Sequence, residues 1–162
     1  MKESLGGVQL FALVVVLVII FAGIVTLTIN HANAFTVKDK LIYSIEKNGG
    51  FGDAFGAELV SGRGNAILEE MVKELQENSY RQTGKCPEEG DNSTVIGYLR
   101  DGRIATSDQK ASFCIVRTEG RGAAGAVPIY YYKIIVFYHL DLPIFNELYD
   151  FKAVGESKAL YK

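Results

Sequence analysis

The sequence predicts an α+β protein: a long N-terminal helix, followed by a small antiparallel β-sheet domain packed on one or two helices. Three observations support this. Residues 10–29 are almost entirely apolar, apolar residues continue at helical spacing to about residue 47, and from Tyr80 onward apolar residues alternate between turn signals. The 162 residues therefore divide into a helical segment, 1–48, and a single α+β domain, 49–162.

The first element is an apolar segment, Leu10–Ile29, whose only polar members are Thr26 and Thr28. Its 20 residues, at about 1.5 Å each, match the roughly 30 Å of hydrocarbon in a bilayer. A helix that is apolar on all sides is typical of a lipid environment. The segment predicts a single-pass anchor in the cell membrane, with the lipid bilayer as a partner and the C-terminal domain extracytoplasmic.

A secretory signal peptide is the competing interpretation of this segment. Ala32-Asn33-Ala34 resembles a signal-peptidase site, and Lys2 provides a basic residue ahead of the apolar run. The apolar run is longer than the usual 7–15 residues of a signal peptide, which favours a retained anchor. Cleavage after Ala34 remains the alternative at this stage.

Helical periodicity continues beyond the apolar segment. Ala34, Val37, Leu41 and Ile45 fall three or four residues apart, and Asn48-Gly49-Gly50 then gives a C-terminal stop signal. We therefore expect one helix from about residue 5 to residue 47, with an amphipathic second half. The alternative is two helices broken near Asn30-His31.

The domain is predicted to contain one more helix and several strands. The helix spans about residues 65–75, and its apolar face comprises Ile67, Leu68, Met71, Val72 and Leu75. The predicted strands are Val95–Leu99, Phe113–Thr118, Ile129–Leu140 and a return strand, Leu148–Leu160, broken around Gly155. Ile129–Leu140 is apolar on both faces, which is typical of a central strand.

Cys86 and Cys114 are the two cysteines of the chain. An extracytoplasmic domain with two cysteines favours a disulfide between them, and the alternative is two free thiols. Two sulfurs without neighbouring histidines do not make a zinc site.

The remaining candidate motifs carry little chemistry. His31 and His139 have no nucleophile or carboxylate constellation, and Gly120–Gly125 matches a dinucleotide fingerprint but precedes a strand rather than a helix. Asn92 is a formal glycosylation acceptor, and the tyrosines of the third strand are expected in the core, with Tyr131 available for an interface.

With a net charge of -2, the chain is not expected to bind nucleic acid. We expect no enzyme activity, no cofactor, no metal site and no small-molecule substrate.

Small residues inside the apolar segment are the candidate helix-packing positions. They are Ala12, Ala22 and Gly23, and small side chains let neighbouring helices approach closely in a membrane.

Several stretches carry a resemblance to a known family. They are residues 35–42, 46–50, 84–86, 131–134 and 141–143, then Phe151 and residues 154–158. On these stretches the chain resembles TadE-like, type IV pilin-related proteins of Gram-positive tight-adherence pilus systems. The resemblance implies a pilin-like fold, a cell-surface pilus or secretion system, and other pilin subunits or pilus-assembly proteins as partners.

One position departs from the family pattern. Type IV prepilins are cleaved after a glycine and carry glutamate at the fifth mature position, whereas cleavage after Gly7 would place Ala12 there. The resemblance therefore implies a minor pilin or an assembly component. The alternative from another class is a monomeric membrane-anchored binding module, with loops 51–64 or 119–126 meeting a ligand.

Overall fold

The structure is a computed structural model. It describes residues 2–51, 55–56, 66–77, 83–88, 90, 92–120, 128–139 and 150–161. Within these residues the chain forms two helices and five strands. The helices are α1 (Lys2–Lys47) and α2 (Ala66–Glu77), and the strands are β1 (Ser93–Tyr98), β2 (Phe113–Gly120), β3 (Ile129–His139), β4 (Asp150–Glu156) and β5 (Leu160–Tyr161). The α+β prediction is confirmed at this level.

Helix α1 is continuous over 46 residues, so the predicted single helix is confirmed and the break near Asn30-His31 is not found. Its end is set by two glycines with positive φ, 70° at Gly49 and 90° at Gly50. The Gly50 amide donates to the Ile45 carbonyl at 2.9 Å and the Gly49 amide to the Glu46 carbonyl at 3.2 Å. This pair of bonds caps the last turn and ends the helix.

The strands form one antiparallel sheet in the order β1-β2-β3-β4, with β5 also paired to β3. Val95 lies opposite Val116, Ile115 opposite Ile134 and Ile135 opposite Val154. Strand β3 is therefore an inner strand, as its two apolar faces predict. Sequential neighbours pair throughout β1 to β4, which is a simple meander.

The main core lies between the sheet and the two helices. From α1 it takes the four residues of the predicted stripe, Ala34, Val37, Leu41 and Ile45, each at most 1% exposed. All five residues of the predicted α2 face are buried. The sheet contributes its inner-face residues, which include Tyr98, Phe113, Ile115, Tyr132, Ile134, Val136 and Tyr138.

A smaller core covers the opposite face of the sheet. It contains Ala111, Cys114, Val116, Ile135 and Phe137, and residues 83–88 pass over it. Gly84 pairs with Ala111 through two backbone hydrogen bonds and lies against the Phe137 ring, which occupies the space where a Cβ would stand. Among the described residues, an extended segment closes this face.

The return strand differs from the prediction in where it breaks. Gly155 stays in the ladder opposite Ile134, and the Ile42 side chain occupies the space of its missing Cβ. The interruption comes at Ser157, whose hydroxyl accepts from the Tyr132 amide at 3.1 Å and so takes the place of a ladder bond. Residues 140 and 148–149 of the predicted strands lie outside the described residues.

Candidate membrane anchor and its junction with the domain

The first half of α1 is exposed along its length. From Val8 to Ile29 its large apolar side chains are 37–70% exposed. Within the described residues, α1 is the one helix long and apolar enough to cross a membrane by length and composition. These features fit a transmembrane anchor.

The helix passes from exposed to buried within one turn. Asn30 is half-buried and Ala34 is fully buried. The Ala32-Asn33-Ala34 sequence therefore lies in the middle of a continuous helix, and its last residue belongs to the domain core. No linker separates the apolar segment from the domain.

An aromatic cluster surrounds this junction. The His31 ring lies 4.6 Å from the Phe35 ring and 6.4 Å from the Tyr138 ring, and Tyr138 stacks on Phe151 at 5.5 Å. Burial raises the pKa of Tyr138. We call His31, Phe35, Tyr138 and Phe151 the junction cluster; it joins one turn of α1 to the adjacent ends of β3 and β4.

Polar contacts tie the second half of α1 to α2. The Lys40 ammonium donates to the Glu74 carboxylate at 2.7 Å, and the Ser44 hydroxyl donates to the Glu70 carboxylate at 2.6 Å. The hydrogen bond to Glu74 raises the pKa of Lys40. Ser44 follows Lys40 by one turn of α1, whereas its partner Glu70 precedes Glu74 by one turn of α2. The two helices therefore run antiparallel.

A further contact joins the end of α1 to the sheet. The Glu46 carboxylate accepts from the Lys158 amide at 2.8 Å and lies 3.8 Å from the Lys158 ammonium. Together with the buried stripe, these contacts fix the orientation of α1 relative to the domain.

The three small residues of the anchor do not share one face. Ala12, Gly23 and Ala34 are spaced 11 residues apart, and at about 100° per residue each step returns to within roughly 20° of the same side. At the same 100° per residue, Ala22 is rotated about 120° around the helix axis from Ala34. Ala12 and Gly23 are therefore on the domain side of α1, and Ala22 is on its flank.

Cys86 and Cys114 form a disulfide, with Cα atoms 5.7 Å apart, and no free cysteine remains. Cys114 is in β2, and Cys86 is in the segment over the smaller core. A Cβ on Gly97 would stand 2.6 Å from the Cys86 sulfur, so glycine at this position leaves room for the bond.

The other candidate residues from the sequence are exposed, buried in the core or outside the described residues. Asn92 is exposed in a turn with φ of 64°, and Tyr131 is 45% exposed whereas Tyr132 and Tyr138 are buried. The side chain of His139 and residues 121–127 of the glycine motif lie outside the described residues. Among the described residues, no three His, Cys, Asp or Glu side chains are grouped so as to hold a metal ion.

Sequence reasoning missed two features of the surface. The junction cluster was not predicted: His31 and Phe35 follow the apolar segment in the sequence, but no sequence signal pairs them with Tyr138 and Phe151. A groove of about 400 Å³ beside the disulfide was also missed; its lining includes Lys85, Glu88, Gly97, Ala105 and Gln109. Comparisons with protein-family models, with curated proteins and with solved structures give no match.

Proposed function

We propose that the protein is a membrane-anchored, pilin-like structural subunit or assembly component of a cell-surface pilus or secretion system. The observation that supports it is α1, whose exposed apolar half and core-forming half are one continuous helix. A helix of this kind can pack against its equivalents in a membrane or filament while it holds the domain at a fixed orientation. The role needs no catalytic residue.

Retention of the apolar segment is part of this proposal. Ala34 is in the core and the helix runs through the possible cleavage site, so peptidase cleavage there would remove a core residue and expose its neighbours. The disulfide supports an oxidising, extracytoplasmic location for the domain.

Helix packing in the membrane gives the test of assembly. Apart from the neighbouring turns of α1, a Cβ at Gly23 would meet no atom of the described residues within 4 Å, so bulk at this position falls on an open part of the helix surface, where a neighbouring helix would pack. We expect Gly23→Leu to reduce recovery of crosslinked complexes or sheared surface filaments by about tenfold, since small residues permit close helix approach and forcing bulk into a packed contact costs about 1–3 kcal/mol.

The matched control is Ala22→Leu, which adds similar bulk on the flank of the helix. We expect it to assemble nearly as the wild type does. Equal recovery of the Gly23→Leu protein would contradict assembly through this helix face.

The second candidate is a monomeric membrane-anchored binding module, and the groove beside the disulfide favours it. Native gels in mild detergent separate the two: a stable monomer supports the binding module, and discrete higher assemblies support the structural subunit.

A further inference from the structure

We propose that the end of the globular domain formed by the junction cluster is a lipid-contacting surface, seated in the headgroup layer of the bilayer. The inference rests on the anchor in the proposed function and not on pilus assembly. It assigns a partner, the phospholipid headgroups, to a surface of the domain rather than to the anchor.

The height of the domain above the bilayer follows from the rigid helix. If Leu10–Ile29 fills the hydrocarbon, Ala34 stands about 7 Å beyond its edge, because five residues rise about 1.5 Å each. The headgroup region on one side of a bilayer is roughly 5–8 Å thick. The first core residue therefore lies at the outer limit of the headgroups, with no linker to lift the domain away.

The sheet comes near the level of the membrane surface at the junction cluster. His31 is about 3 Å past the apolar segment, at 1.5 Å per residue, and its ring lies 6.4 Å from that of Tyr138. Side chains on a helix lean toward its N-terminus, here toward the bilayer. The ring of Tyr138 and its stacking partner Phe151 thus lie at the end of the sheet that is nearest to His31, and we place this end at the headgroup layer.

The chemistry of the cluster suits this layer. Aromatic residues are enriched at membrane–water interfaces. Tyr138 is only 6% exposed and supports the cluster from inside the fold, so the side chains available to lipid are His31, Phe35 and the half-buried Phe151. Phe35 is 38% exposed and His31 is exposed, although both adjoin a packed core. Among the described residues the Lys38 ammonium, 4.6 Å from the centroid of the Phe35 ring, covers part of this surface; in the proposed placement headgroups and upper acyl chains cover the exposed remainder.

Tryptophan fluorescence tests the proposal, because the chain has no tryptophan. We would make Phe151→Trp at the junction, Phe21→Trp within the apolar segment and Tyr161→Trp in β5. Tyr161 pairs with Ile129, so it lies about 30 Å from Tyr138 along β3, at roughly 3.3 Å per residue. The three full-length proteins are placed in phosphatidylcholine–phosphatidylglycerol vesicles.

Two quenchers report depth. A phosphatidylcholine with a nitroxide on its headgroup should remove most of the Phe151→Trp emission and little of the Tyr161→Trp emission. A phosphatidylcholine brominated deep in its acyl chains should quench Phe21→Trp most strongly. If Phe21→Trp is quenched and Phe151→Trp behaves like Tyr161→Trp, the headgroup surface is wrong and the anchor stands; if Phe21→Trp is not quenched, both are wrong.

A second variant removes the contact without touching the cluster. A seven-residue polar helical insert (Glu-Ala-Ala-Lys-Glu-Ala-Ala) after Ile29 lifts the domain by about 10 Å. Seven residues make nearly two full helical turns, so the domain stays on the same side of α1 relative to the apolar segment. In the Phe151→Trp protein this insert should abolish headgroup quenching. Quenching that survives the insert would overturn the proposal.

Discussion

At the scale of single residues, Tyr98 shows how burial changes the chemistry of a side chain. It is fully buried and stacks on its cross-strand neighbour Phe113, with ring centroids 5.2 Å apart. Desolvation by burial raises the pKa of Tyr98 from 10.0 to about 12. The folded protein therefore resists ionisation of this hydroxyl at a pH where the unfolded chain loses the proton.

This shift predicts a loss of stability in alkali. Below pH 10, Tyr98 is neutral in the folded and the unfolded protein, and its contribution to the free energy of unfolding is fully present. Between pH 10 and about 12, Tyr98 ionises in the unfolded chain only, which favours unfolding. The free energy of unfolding should fall by up to about 3 kcal/mol over this window. Urea unfolding of the detergent-solubilised protein at several pH values measures it, and Tyr98→Phe should lose less stability over the same window. Equal pH dependence of the two proteins would contradict the assignment.

The disulfide gives a second prediction at this scale. It closes a loop over a sequence separation of 28 residues, so reduction should lower the free energy of unfolding by about 3 kcal/mol through the greater freedom of the unfolded chain. Urea midpoints with and without reductant measure this effect. The double variant Cys86→Ser, Cys114→Ser should start at the lower midpoint and not respond to reductant; a wild-type midpoint unchanged by reductant would show that the bond does not form.

At the scale of elements, the helices were predictable because each signal was local. The stripe of α1, the face of α2 and the glycines that end α1 all appear in the sequence at helical spacing. The break in the return strand was misplaced because it depends on distant contacts. From the sequence, Gly155 is expected to interrupt the strand, but in the fold the Ile42 side chain packs where its Cβ would stand. The hydrogen bond between Ser157 and Tyr132, which marks the actual interruption, joins residues far apart in the chain.

The packing of α1 on the domain can be tested with two neighbouring residues. Leu41 is 1% exposed in the core and Tyr43 is 63% exposed. We expect Leu41→Ala to lower the free energy of unfolding by about 3 kcal/mol, because it leaves a cavity between helix and sheet. Tyr43→Ala should change it by less than about 0.5 kcal/mol. Urea unfolding of the full-length protein in detergent measures both, and equal losses would contradict the assigned face of α1.

At the scale of the whole molecule, α1 joins an exposed apolar half to a half that is part of the domain core. The apolar helix was predictable from composition alone, since its length and hydropathy appear directly in the sequence. The junction cluster was not, because it brings residues 31 and 35 together with residues 138 and 151, and only the folded sheet fixes that register. The pilus assignment depends on a resemblance and on the continuity of this helix.

The intact mass of the protein extracted from the membrane fraction shows whether the apolar segment of α1 is retained. We expect a chain that keeps this segment: the full 17.8 kDa, or a chain starting at Val8 if a prepilin peptidase acts after Gly7. A mass that starts at Phe35 would contradict this expectation, because the anchor and the core residue Ala34 would both be gone.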